Sequence, residues 1–250
     1  MKISVCIESV FQGMDSLAAL EQVRAAGFGA FEFWNWQNKD MEKLAQKKAA
    51  LGLHCVCFCT KSFELTDPDK RDTFLEGLKE SVLQAKQLIV PFLITQSGMD
   101  TGAERKLQRR NICESLKAAA PLLEASGVTL LLEPLNGKID HAGIYLESSD
   151  EGFEILETVG SPHIKLLFDV YHQQITEGDV IRRMISHIDQ IGHVHCAGNP
   201  GRHELDSGEL NYKGIFRALD KAGYQGYAGI EYFPAFPAAE GLAYIREITA

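Results

Sequence analysis

Short apolar runs rich in β-branched and aromatic residues recur along the chain, at residues 2–7, 29–33, 53–59, 91–95, 128–133, 164–169, 191–196 and 226–231. Each is nearly continuous in apolar character, as a strand buried on both faces must be. Between the runs, apolar positions recur every three or four residues, the spacing of one helix face. Leu17, Leu20 and Val23 form such a face in the first gap, with Asp15 or Ser16 placed to cap the helix. Leu75, Leu78, Val82 and Leu83 supply one in the third gap, and Leu116, Ala119, Leu122 and Leu123 one in the fourth. The runs begin about 32 residues apart, so eight strand–helix units fill 250 residues. That is the size of a (β/α)8 barrel. A doubly wound open sheet is the competing α/β arrangement. The first run, however, leads into Glu8-Ser9-Val10-Phe11-Gln12-Gly13, which has no G-x-G-x-x-G, and no G-x-x-x-x-G-K-[ST] occurs anywhere. With no linker, low-complexity stretch or charge run to divide it, the chain is expected to form one α/β domain over residues 1–250, a (β/α)8 TIM barrel.

Composition narrows the function. Hydrophobic residues make up 45% and charged residues 24%, the balance of a globular protein able to bury a sizeable core. Lys and Arg number 25 against 34 Asp and Glu, a net charge of −9 that argues against a nucleic-acid partner. A small polar substrate, or one handled through a metal, suits that balance better. No stretch approaches the 18 apolar residues a membrane span requires. The six cysteines show no C-x-x-C spacing, and the first residues lack a charged-then-apolar leader, so free thiols in the cytoplasm are expected. Cys55, Cys57 and Cys59 alternate, which places their thiols on one face of a strand. Neighbouring thiols there are about 6.6–6.8 Å apart, too far to share a zinc, and they read as small buried hydrophobes.

Barrel enzymes carry their chemistry where the strands end. The last four runs finish in Glu133, Asp169, His195 and Glu231, the first two sharing a strand face with Leu131 and Leu167. Any one of these acids alone could cap a helix or pair with a basic residue. Four polar side chains converging from adjacent strands call for a cation, and an oxygen-rich set with one imidazole favours Mg²⁺, Mn²⁺ or Co²⁺. His172 stands three residues beyond Asp169, to hold it or to touch substrate. Arg202 supplies a guanidinium for a carboxylate or oxyanion, or ties down its own loop, while Asn136 is placed to bond a substrate hydroxyl. His203 reads as structural. Trp34 and Trp36, with Tyr232 and Phe233, are either core or a wall that keeps water from a reactive intermediate.

Four segments carry a resemblance: Leu132-Glu133-Pro134-Leu135-Asn136, Phe168-Asp169-Val170-Tyr171-His172, Gly192-His193-Val194-His195 through Asn199-Pro200-Gly201-Arg202, and Gly229-Ile230-Glu231-Tyr232. With Phe31-Glu32-Phe33 and Ser207-Gly208-Glu209-Leu210-Asn211-Tyr212, they resemble the hydroxypyruvate isomerases of the xylose isomerase-like barrel superfamily of sugar isomerases and epimerases. The resemblance implies that Glu133, Asp169, His195 and Glu231 bind a divalent metal. It further implies that Glu133 and Glu231 are catalytic and shuttle a proton between adjacent carbons of an α-hydroxycarbonyl substrate through an enediolate. Trp34, Asn136, His172 and Arg202 then fall to substrate binding, the substrate being a small hydroxy-oxo acid or ketose, and a homo-oligomer is compatible with it. The hydroxypyruvate isomerase pattern has a glutamine at the position of His195, where the ketose 3-epimerases have histidine. Such an epimerase is therefore the alternative expectation, ahead of an inosose-type dehydratase, an endonuclease IV-like phosphodiesterase or a non-catalytic binding protein.

Overall fold

The computed structural model describes residues 1–249. Nine short strands form one parallel sheet: β1 (Lys2–Cys6), β2 (Ala30–Glu32), β3 (His54–Cys55), β4 (Cys57–Cys59), β5 (Phe92–Thr95), β6 (Thr129–Leu132), β7 (Ile164–Asp169), β8 (Ile191–Cys196) and β9 (Tyr227–Ile230). Their order is β3-β2-β1-β9-β8-β7-β6-β5-β4. The expected third strand thus comes as two pieces. β3 pairs with β2 and β4 with β5, so the chain passes its pairing from one neighbour to the other at Val56. Val56 N–H still donates to Phe31 O (2.9 Å) and Cys59 N–H to Trp34 O (3.0 Å), which carries the ring across the break. Nine strands therefore occupy eight places in a nearly closed barrel.

The break corrects one expectation. Cys55 packs in the outer core while Cys57 joins Val56 in the inner one, because the strand turns between them and alternation fails there. Cys59, half-buried, faces the inner cluster. All six cysteines are free.

The helices are α1 (Ile7–Val10), α2 (Ser16–Ala25), α3 (Met41–Leu51), α4 (Arg71–Leu88), α5 (Arg105–Ser126), α6 (Ser149–Val159), α7 (Val170–Thr176), α8 (Val180–Ser186), α9 (Tyr212–Lys221) and α10 (Ala238–Thr249). Asp15 caps α2, its carboxylate accepting from Leu17 N–H and Ala18 N–H. On α4, Leu78 and Val82 are buried, but Leu83 is 66% exposed. Adjacent helical residues point about 100° apart at 3.6 residues per turn, so only one of the two can face the sheet. The larger core lies between strands and helices. A smaller one fills the ring with Ala30, Val56, Cys57, Ile94, Leu131 and Leu167, the last two directly beneath Glu133 and Asp169. No helix among the described residues is long and apolar enough to cross a membrane.

Candidate active site

The ends of β6 to β9 bring four polar side chains to one place. Glu133 follows β6, its N–H bonded to Thr95 O at 3.0 Å, and Glu231 follows β9, its N–H bonded to Cys196 O at 3.0 Å. Asp169 ends β7 and lies in register with His195 of β8. Ligand atoms of Glu133, Asp169, His195 and Glu231 all lie within 4.8 Å of one another, and all four residues are buried. His195 Nδ1 stands 3.4 Å from Glu133 Oε1 and 3.5 Å from Glu231 Oε2. Asp169 divides its carboxylate. Oδ1 caps α7 by accepting from Tyr171 N–H (2.7 Å) and His172 N–H (3.2 Å), which leaves Oδ2 toward the cluster.

Charge makes this set unfavourable on its own. Burial raises the Glu133 carboxyl above its ordinary value, the Glu231 and Asp169 charges adding to burial against the pull of His195. Asp169 is likewise raised by burial, helped by Glu231 and opposed by Arg202. For Glu231 burial acts upward, yet His195, Arg202 and the Trp34 indole outweigh it and leave this carboxyl lowered. Burial disfavours the His195 imidazolium, but Glu231 and Glu32 hold it well above the usual histidine range. His195 Nδ1 is buried with no hydrogen-bond partner. Three carboxylates and one unpartnered imidazole nitrogen, all on buried residues, fit a hard divalent cation such as Mg²⁺, Mn²⁺ or Co²⁺.

A cavity of about 510 Å³ opens above the cluster, lined by Glu133, Glu231, His172, Arg202, Trp34 and Phe233 among others. The Trp34 indole donates to Glu231 Oε1 at 2.5 Å and meets the Phe233 ring edge-on, with centroids 6.2 Å apart. Trp36 packs against the outer core instead. Arg202 pairs with Glu231 and comes within 3.9 Å of Asp169 Oδ2. Its guanidinium lies 5.4 Å from the centroids of both Tyr171 and Phe233. His203 ties its loop to the backbone, with Nδ1 2.8 Å from Phe233 O.

His172 and Asn136 divide the roles expected of them. Asn136 is fully buried and absent from the cavity wall. Its amide nitrogen contacts Asp140 Oδ2 at 2.7 Å and His172 Nδ1 at 2.6 Å, so it aligns the imidazole instead of facing the cavity. With Nδ1 accepting, the His172 proton sits on Nε2, which is buried, lacks a partner and lies 3.6 Å from Asp169 Oδ2. Burial and the Arg202 charge push His172 well below the usual range, so it is neutral.

Two further acids belong to the site. Glu8, in α1, accepts from Trp34 N–H, from Asn35 N–H (3.0 Å) and from Lys39, and so fixes the loop that carries Trp34. Glu32 ends β2 beneath His195, its Oε1 2.8 Å from His195 Nε2. Burial acts upward on Glu32, but His193 and His195 hold its carboxyl well below the usual carboxylate range. Glu32 shows the same signal as the four ligand candidates, a carboxylate closing an apolar run. That signal was masked by the aromatic residues that continue the run. Glu8 sits in the segment after the first run and gives no such signal.

Residues 20–248 match the family described as xylose isomerase-like TIM barrel. A 2-oxo-tetronate isomerase of Cupriavidus necator is 42% identical over 144 residues, a stretch covering 58% of this chain and only 55% of that protein. The hydroxypyruvate isomerase of Escherichia coli is 26% identical over 98% of both chains. A crystal structure described as AP endonuclease, family 2, from Brucella melitensis superposes with a TM-score of 0.94 at 28% identity, covering 98% of both chains. By its matched length, its ring of parallel strands and the acids at their ends, this chain belongs to the xylose isomerase-like TIM barrel family.

Proposed function

We propose that the chain is a divalent-metal-dependent isomerase that interconverts the aldehyde and ketone forms of a small α-hydroxy-oxo acid, hydroxypyruvate and tartronate semialdehyde being the simplest pair. The observation that carries this reading is the buried Glu133–Asp169–His195–Glu231 cluster at the floor of the cavity. The isomerase names of the relatives support it. Held by those four side chains, a divalent cation would act as a Lewis acid toward the carbonyl and hydroxyl oxygens of the substrate. Glu133 and Glu231 then serve as the pair that removes a carbon-bound proton and returns one to the neighbouring carbon. Trp34 and Arg202 fix Glu231 in place. The neutral His172 offers its Nε2–H to a substrate oxygen, and the Arg202 charge suits a carboxylate. Trp34 and Phe233 limit the access of water. Six free thiols suit a reducing compartment such as the cytoplasm.

One observation favours a second reading. Histidine at 195, within a cavity of about 510 Å³, would also serve a ketose 3-epimerase acting on a longer substrate. Phosphodiester cleavage on DNA fits poorly with a net charge of −9. The test is turnover of hydroxypyruvate, 2-oxo-tetronate and free ketoses with added Mg²⁺, Mn²⁺ or Co²⁺, followed by proton NMR in D2O. Deuterium should enter at carbon, EDTA should abolish turnover, and Glu231→Gln should lower kcat by about 10²–10⁴. Undiminished turnover after complete metal removal would sink the proposal, and inversion at C3 of a ketose without aldehyde formation would select the epimerase.

A further inference from the structure

Beneath the four candidate ligands lies a second buried polar layer that takes no part in the proton transfer. Glu32 occupies its centre, 2% exposed, with its carboxylate shared among three side chains. Ser4 Oγ donates to Oε2 from β1, and His193 Nε2 lies 2.9 Å from the same oxygen, from β8. Oε1 faces His195 Nε2 at 2.8 Å, off the line of a straight hydrogen bond. Neighbouring β9 makes room for this carboxylate. A Cβ added at Gly229 would stand 2.4 Å from Glu32 Oε1, 2.6 Å from Oε2 and 2.7 Å from His193 Nε2. Three strands therefore supply a donor, a partner or empty space to one acid.

An imidazole that binds a cation through one nitrogen needs its proton on the other, and a carboxylate beside that other nitrogen keeps it there and sets the ring orientation. His195 presents Nδ1 to Glu133 and Glu231, and Nε2 to Glu32. We propose that Glu32 is a positioning residue for the metal centre: it accepts the Nε2 proton of His195 and so holds the Nδ1 lone pair toward the cation, with Ser4, His193 and the side-chain-free Gly229 fixing Glu32 itself. This rests on the metal-dependent reading given above. Glu32, Cys57, His193 and His195 also have ligand atoms within 4.8 Å of one another, which makes a second cation the competing explanation for the same layer. The geometry around Glu32 favours the positioning role, because Ser4 and His193 already occupy Oε2 and Oε1 stands 2.8 Å from His195 Nε2.

The test is direct binding of Mn²⁺ and Co²⁺ by calorimetry and visible spectroscopy, with no turnover involved, on the wild-type chain, Glu32→Gln, Glu32→Ala and Gly229→Ala. We expect one cation per chain, with affinity falling 10–100-fold in Glu32→Ala. Glu32→Gln, which keeps an acceptor oxygen, should recover much of that loss. Gly229→Ala, which leaves the acid in place but crowds it, should reproduce the weaker binding with a changed Co²⁺ spectrum. A purely structural Glu32 would lower the melting temperature of Glu32→Ala and leave cation affinity within twofold of wild type, which would overturn the proposal. Two Co²⁺ per chain with a thiolate charge-transfer band lost in Cys57→Ser would also overturn it, by making Glu32 a ligand. A wild-type chain that binds no divalent cation would instead bring down the metal-dependent reading itself.

Discussion

Asp169 and Asn136 show how far a side chain's identity determines its role. Asp169 caps α7 with one oxygen and leaves the other free toward the cluster of candidate ligands, so two readings that compete in sequence are compatible in space. Asn136 was expected at the substrate and lies instead behind His172, because the turn after Pro134 directs its amide toward Asp140 and the imidazole. A buried ring nitrogen left without its donor is worth about 1–3 kcal/mol. Asn136→Ala should therefore lower kcat/KM roughly tenfold, about 1.4 kcal/mol, while cation affinity measured by calorimetry stays within about threefold. A loss of cation binding equal to the loss of kcat/KM would place Asn136 with the metal instead. Glu133, Asp169, His195 and Glu231 were legible because each polar residue interrupts or closes an apolar run at a strand end. The partner that each flanking side chain would choose was not, because it depends on the direction of loops that sequence spacing leaves open.

At the scale of elements, the strand positions were legible almost throughout. Residues 164–169 and 191–196 form strands over their full predicted length. The break at Val56 was not, since 53–59 reads as one continuous apolar run, and only its pairing with β2 on one side and β5 on the other divides it. Equally hidden was the link between α1 and the loop after β2. Glu8 joins the two through the backbone of Trp34 and Asn35 and through Lys39, whose side chain is only 5% exposed. Removing one partner of such a pair leaves a poorly solvated charge. Glu8→Ala should lower the melting temperature and reduce kcat/KM about tenfold by freeing Trp34 from Glu231, with cation binding preserved. Glu8→Gln, which still accepts from the two backbone N–H groups, should lose less. Thermal melts and steady-state kinetics on both variants decide the point, and equal losses would show that the backbone contacts are irrelevant.

The whole molecule responds to the charge collected on its axis. Glu133, Asp169 and His195 all hold protons to higher pH than their exposed counterparts, and a cation must displace those protons to bind. Cation affinity should therefore rise from pH 5 to pH 8, with proton release visible as a dependence of calorimetric heat on the buffer. The two raised carboxyls also make the metal-free fold less stable as pH climbs through the interval from ordinary to raised values. Cation at a hundred times its pH 8 Kd is worth about 2.7 kcal/mol there, roughly 5–11 °C for a chain of this size, and the same concentration should give a smaller gain at pH 5, where binding is weaker. An equal gain at both values would contradict the burial argument. The ring itself sets a timetable. β1 pairs with β9, strands from opposite ends of the chain, and all four candidate ligands follow residue 132, whereas Glu8, Glu32 and Trp34 precede residue 35. During synthesis the first half emerges with the supports for the candidate metal site but none of the side chains that would hold the cation. The centre comes into being only when residues 227–231 arrive to close the circle, so the last strand to be made is also the one that turns a set of separate acids into a site.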